Sequence, residues 1–174
     1  MRNRETRALV EGALTGLVAA VGDRAMELTV IGGLNADLLT TVDDVPHQGT
    51  NDVDLLVQLG FVYERDEEDF TWLERGLVAA GFATRPGGGG WRWWRDVDGV
   101  PVKLELLCDV YDNLGQEIPL PGCGRASAQN LRGPSAALRD RVPHRLPSPE
   151  GAMRPPARRS LLAPRRTTRQ CCWQ

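Results

Sequence analysis

Lysine is nearly absent from this chain of 174 residues: Lys103 stands alone against 20 arginines. That bias points to a GC-rich coding sequence and to nothing more specific. Histidine is almost as scarce, and His47 and His144 are too isolated to make a zinc site. Aromatic residues are only 6%. No apolar run reaches the roughly 18 residues that a membrane span needs. The N-terminus has neither a long apolar core nor a small-residue cleavage site, so the expectation is a cytoplasmic protein with no membrane partner. The four cysteines (Cys108, Cys123, Cys171 and Cys172) form no C-x-x-C pair, and free thiols are the simplest reading. The phosphate-binding patterns G-x-x-x-x-G-K-[ST] and G-x-G-x-x-G are also missing.

What is present divides into two parts. Residues 1–120 hold 10 basic and 21 acidic side chains, whereas residues 121–174 hold 11 arginines and two acids. The second part also carries 8 of the 12 prolines, and Trp173 is its only aromatic residue. Residues 1–120 therefore read as one folded domain. Residues 121–174 read as an Arg/Pro-rich tail, disordered or translated from a shifted frame, because low hydrophobicity with high charge opposes a packed core. Reading the coding DNA tests the second alternative: it fails if neither other frame continues a patterned sequence. Within the tail, only Leu131–Arg141 has the pattern of a helical turn or two.

Leu9, Val10, Ala13, Leu14, Leu17, Val18 and Val21 recur at helical spacing, which predicts a helix over 5–21 that Gly22 ends. Glu27–Ile31 is β-rich and runs into Gly32-Gly33; a short helix over Leu34–Leu39 and a polar loop over 40–51 follow. Asp52–Val57 reads as a strand. A helix over 67–80, capped by Asp66 and stopped by Gly81, comes next. Pro86–Gly90 is a connector, and Trp91–Arg95 with Pro101–Cys108 form a hairpin about Asp98-Gly99. The preceding Asp96 gives that turn a superficial likeness to a calcium loop whose other ligands are missing. Trp91, Trp93 and Trp94 read as sheet packing before base stacking. The order of elements predicts an α/β (α+β) fold: a mixed sheet flanked by helices.

The chemistry concentrates on two strands. Residues two apart on a strand share a face, so Asp52 and Asp54 lie together while Val53, Leu55 and Val57 point to the core. On the later strand, Lys103, Glu105 and Leu107 share one face. If the two strands are neighbours in register, Glu105 joins both aspartates. Glu105 is also a natural partner for Lys103 or an arginine. Clustered carboxylates repel one another unless a cation neutralises them, and oxygen donors suit Mg²⁺. Two such ions about 4 Å apart can stabilise both oxygens of a phosphoryl transfer. Ahead of them, two glycines before a helix let a phosphate approach backbone N–H groups.

A Gly-Gly turn in VIGGLNADLL (30–39), an Asp-x-Asp strand in HQGTNDVDLLV (47–57) and a later acidic strand in VKLELL (102–107) together resemble the nucleotidyltransferase superfamily. That superfamily includes polymerase-beta-like enzymes, aminoglycoside nucleotidyltransferases and, most similar to this chain, bacterial abortive-infection and toxin-type nucleotidyltransferases. The resemblance covers about residues 8–110. It implies a nucleotidyltransferase-like catalytic domain that moves a nucleoside monophosphate from an NTP such as ATP to a hydroxyl acceptor. That acceptor would be a tRNA, a protein or a small molecule. It further implies one or two Mg²⁺ held by Asp52, Asp54 and Glu105, with Glu105 as the third ligand or the base. Gly32, Gly33, Asn35 and Thr50 would bind the nucleotide, with His47 and Asn51 as further substrate contacts from the loop. A toxin role with an antitoxin partner follows from the resemblance alone. The alternative is a truncated or degenerate module that binds nucleotide or a partner without turnover.

Overall fold

The computed structural model describes residues 4–34, 51–59, 68–139, 141–146 and 160–164. Asn35, His47, Thr50, Asp66, most of the expected helix after Gly33 and most of the far C-terminal segment lie outside the described residues. Helix α1 (Arg4–Val21) presents Val10, Leu14, Leu17 and Val18 to the core, all buried. A 3₁₀ turn over Gly22–Glu27 follows, closed by Leu28 N–H donating to the Ala25 carbonyl. Strand β1 is therefore shorter than its sequence pattern, Thr29–Ile31. The backbone turns helical at 32–34.

The described strands form one mixed sheet. After β1 come β2 (Asp52–Leu56), β3 (Arg92–Val97), β4 (Val100–Cys108), β5 (Glu117–Pro119), β6 (Ser127–Asn130), β7 (Arg141–Arg145) and β8 (Ser160–Pro164). Their spatial order is β5-β6-β4-β2-β1-β8-β7, with β3 also paired to β4. β2 runs antiparallel to β1 and parallel to β4. Helix α1 packs on β2, β3 and β4, and helix α2 (Thr71–Ala79) packs on α1. At that contact Gly76 meets Val21, where a Cβ would have no room. Buried Val53, Leu55, Leu104, Leu106 and Trp93 fill the helix-facing side of the sheet. This is the α+β architecture that the element order predicts.

Two of the expected boundaries hold for visible reasons. Asp98 and Gly99 both take positive φ, 53° and 78°, as a two-residue hairpin turn requires. Gly81, at φ 82°, ends α2 with Gly81 N–H donating to the Val78 carbonyl and Phe82 N–H to that of Leu77.

Two others differ. α2 begins at Thr71 rather than 67, and Asp69 takes the Thr71 N–H at 2.8 Å. The sheet also does not stop near residue 120. β6 pairs with β4 through Leu107–Gln129 and Cys108–Asn130, and Ala126 and Ala128 are buried in the core. Phe70 N–H donates to the Pro121 carbonyl. The Glu74 carboxylate accepts from Arg125 N–H at 3.0 Å and Ala126 N–H at 2.9 Å. Residues 120–130 are thus fastened to α2 and β4 by backbone groups and small side chains, which leave little hydrophobic pattern.

Glu74→Ala is accordingly expected to cost about 1–3 kcal/mol, because it strips the acceptor from two backbone donors. Urea denaturation of the two proteins measures it. Partial burial raises the Glu74 carboxyl, but the Arg125 and Ala126 N–H groups outweigh it and hold the group below its ordinary value. Its contribution is therefore present at neutral pH and fades as pH falls through the acid range.

Among the described residues no helix is long and apolar enough to cross a membrane.

Candidate functional site

The face of the sheet turned away from α1 carries the polar residues. Parallel register sets Asp52 opposite Lys103 and Asp54 opposite Glu105. Antiparallel register sets Ile31 of β1 opposite Asp54. β3 adds Arg92 opposite Glu105 and Trp94 opposite Lys103. Directly opposed residues share a face, so Asp52, Asp54, Glu105, Lys103, Arg92 and Trp94 form one polar surface. The three carboxylates singled out in the sequence therefore belong to neighbouring strands in the required register.

Gly32 comes to the same place. It takes φ 72°, in the left-handed region, and its Cα lies against the Asp54 side chain. A Cβ there would fall 2.9 Å from the Asp54 Cγ and closer still to Oδ2. The residue is thus glycine for two independent reasons: backbone conformation and close approach. Gly33 follows in the same turn, partly exposed. Gly32→Ala is expected to cost about 1–3 kcal/mol of stability and to push Asp54 out of position. Thermal denaturation should show the first effect and a loss of any Asp54-dependent activity the second.

Two basic side chains, less conspicuous in the sequence than the acids, neutralise much of the cluster. Lys103 Nζ is 2.9 Å from Glu105 Oε1 and 3.3 Å from Asp52 Oδ2. Arg92 Nε is 3.1 Å from the same Glu105 oxygen. The signal for both was strand alternation, which puts position 103 on the face of Glu105. In this arrangement an ammonium bridges Asp52 to Glu105, and among the described residues no three His, Cys, Asp or Glu side chains converge as a metal site. The donors are nonetheless those of a hard cation, and Lys103 stands as a positive charge between two of them. Burial lowers the Lys103 pKa, but Glu105 and Asp52 outweigh it and keep the ammonium charged beyond its ordinary range.

Asp54 makes no such pair. Burial, then the charges of Asp52 and Glu105, push its carboxyl up to about 6 against the opposing pull of Lys103, and a side-chain hydrogen bond with Glu105 adds to the rise. A folded pKa above the unfolded 3.8 means that the group favours folding most at low pH. This contribution is lost as pH rises through about 6. In EDTA, Asp54→Asn is therefore expected to gain stability relative to wild type between pH 5 and pH 8, by about 1 kcal/mol after solvent screening. Urea titrations of both proteins at the two pH values check it; a difference that does not change with pH contradicts a raised Asp54 pKa.

Around this face, Arg85 stacks over the Trp94 ring at 3.9 Å and Arg92 over Trp91 at 3.8 Å. Trp93, between the two half-buried tryptophans, is wholly buried on the opposite side. A cavity of about 770 Å³ opens elsewhere, among Leu28, Val57, Phe70, Trp72 and Arg141, and none of the three carboxylates lines it. Its residues lie at the far end of β2 from Asp52.

No protein-family model, curated protein or solved structure matches the chain.

Proposed function

We propose that the polar face of β2 and β4 is the reaction centre of a Mg²⁺-dependent nucleotidyltransferase. It would join the α-phosphorus of an NTP to the oxygen of an acceptor hydroxyl, break the bond to the β-phosphate oxygen and release pyrophosphate. The single observation that supports this reading is the contact of Gly32 with the Asp54 carboxylate. It brings the glycine turn, suited to phosphate oxygens, together with the acidic pair. Asp52, Asp54 and Glu105 would hold the metal, which when bound supplies charge neutralisation and polarisation of the phosphate oxygens. Asp52 and Asp54 orient the centre from one strand. Glu105 completes the set from the next strand or takes the proton from the acceptor hydroxyl. Gly32 and Gly33, having no side chains, would let the triphosphate approach their backbone N–H groups, and Asn35 and Thr50 would be further nucleotide contacts. The acceptor class is a tRNA, a protein or a small molecule such as an aminoglycoside. A toxin role with an antitoxin partner, in the cytoplasm, is the corresponding biological setting.

Pyrophosphate release tests the reaction. Each NTP is incubated with Mg²⁺ and, in turn, total RNA, total protein and a panel of aminoglycosides. Release with at least one acceptor, lost in Asp52→Ala/Asp54→Ala, is the expected result. Equal release by wild type and variant contradicts it.

The pairing of Lys103 and Arg92 with the acids favours a second reading: a non-catalytic module that binds a nucleotide or a partner. It predicts saturable NTP binding without pyrophosphate.

A further inference from the structure

The cavity of about 770 Å³ at the far end of β2 from Asp52 has no part in the reaction proposed for the polar face. Its volume falls within the roughly 300–1,000 Å³ of ordinary small-ligand sites. One wall is aromatic: the Phe70 and Trp72 rings, at the start of α2, have centroids 6.5 Å apart and are tilted by 33°. Met26, Leu28 and Val57 add aliphatic surface. The polar groups of the lining divide by whether the protein satisfies them. Glu27 is paired with Arg24 at 2.7 Å, Asp69 accepts from the Thr71 N–H, and Glu68 is also engaged within the chain. Arg24 is further held by stacking over Trp72, 4.9 Å from the ring centroid. Two donors are left over. The Trp72 indole N–H is buried and has no acceptor among the described residues. Arg141, the first residue of β7, has no ion-pair partner among them. A buried donor without an acceptor is costly to a fold, and beside a cavity it is explained by a ligand that brings the acceptor.

We propose that this cavity binds a flat aromatic carboxylate, its ring against Phe70 and Trp72 and its oxygens accepting from Arg141 and from the Trp72 indole N–H. A carboxylate supplies both missing things, an acceptor for the indole and a counter-charge for one guanidinium, whose planar fork matches two oxygens. A phosphate monoester would bring a second negative charge beside Glu27, Glu68 and Asp69 with no cation to meet it. An ammonium would leave both donors unmet. The aromatic wall selects a flat, apolar body. The site is built from the 3₁₀ turn, the end of β2 and the starts of α2 and β7, and it stands whether or not the β2–β4 face transfers nucleotides.

Titration calorimetry of the full chain tests it without any assay of turnover. The probes are 2-naphthoate and indole-3-acetate, with 2-naphthamide as the neutral control and 2-naphthylmethylamine as the cationic one. A single carboxylate is expected to bind per chain, about tenfold or more tighter than the amide or the amine, as a charge-assisted hydrogen bond requires. Arg141→Met should weaken the carboxylate by a similar factor. Trp72→Phe keeps a ring and loses the N–H, and should weaken it several-fold. Asp52→Ala/Asp54→Ala should bind it as wild type does. The proposal is overturned if neither carboxylate binds at concentrations up to about 1 mM, or if the amide or the amine binds as tightly. It is equally overturned if Arg141→Met and Trp72→Phe, shown to be folded by thermal denaturation, both keep the wild-type affinity. Loss of binding in Asp52→Ala/Asp54→Ala would move the ligand to the polar face and remove it from the cavity.

Discussion

Trp93→Ala is expected to lower the stability of the fold by about 3–5 kcal/mol. Trp93 is fully buried on β3, opposite Leu104 of β4, and belongs to the core that α1 covers. Its indole N–H donates to the Gly90 carbonyl at 2.8 Å, so truncation leaves a cavity and also removes the donor to a backbone oxygen. Small domains have only about 5–15 kcal/mol in total, so the loss is a large fraction of what is available. For a chain of this length it corresponds to a fall in Tm of roughly 6–20 °C. Trp93→Phe keeps most of the ring volume and loses the N–H, and is expected to cost less than half as much. A Tm change below about 2 °C in Trp93→Ala would contradict the placement of this side chain in the core.

Asp54→Asn is expected to abolish nucleotidyl transfer, by on the order of 10³-fold or more in kcat/KM, while leaving the protein folded. The amide keeps the size of the side chain beside Gly32 and removes the charge that a metal-bound triphosphate needs. Since Asp54 is destabilising when ionised, the same change should raise stability above pH 6. Loss of activity with a gain of stability is the signature of a group retained for chemistry. A variant that loses both has merely been damaged. Asp52→Asn should lose transfer to a comparable extent, but without the gain, because Asp52 is paired to Lys103 at 3.3 Å.

The parts of this site that could be read from the sequence are those governed by alternation and turn chemistry. DVDLL announces its two faces at once, and observed burial of Val53 and Leu55 with partial exposure of Asp52 and Asp54 follows that pattern. Asp98-Gly99 fixes the β3–β4 hairpin locally, which sets Arg92 against Glu105. The pairing of β2 with β4 is a long-range event, and strand periodicity could state it only as a condition. Strand β6 was hidden because Ser-Ala-Gln-Asn has no apolar stripe: its place rests on backbone hydrogen bonds and on small side chains that fit a crowded core. Asp69 at the start of α2 depends on Thr71 bonding both Asp69 and the Gly122 carbonyl, a contact across 51 residues. The bridging position of Lys103 likewise needs two strands at once, since one of its partners comes from each.

The most direct measurement uses two labels. Wild type and Asp52→Ala/Asp54→Ala are incubated side by side with Mg²⁺, total RNA, total protein and small-molecule acceptors, using each NTP labelled at either the α- or the γ-phosphate. Nucleotidyl transfer predicts that the α-label enters one acceptor class, that the γ-label leaves as pyrophosphate, and that the double variant does neither. Entry of the γ-label into an acceptor, or α-label transfer undiminished in the double variant, would contradict it.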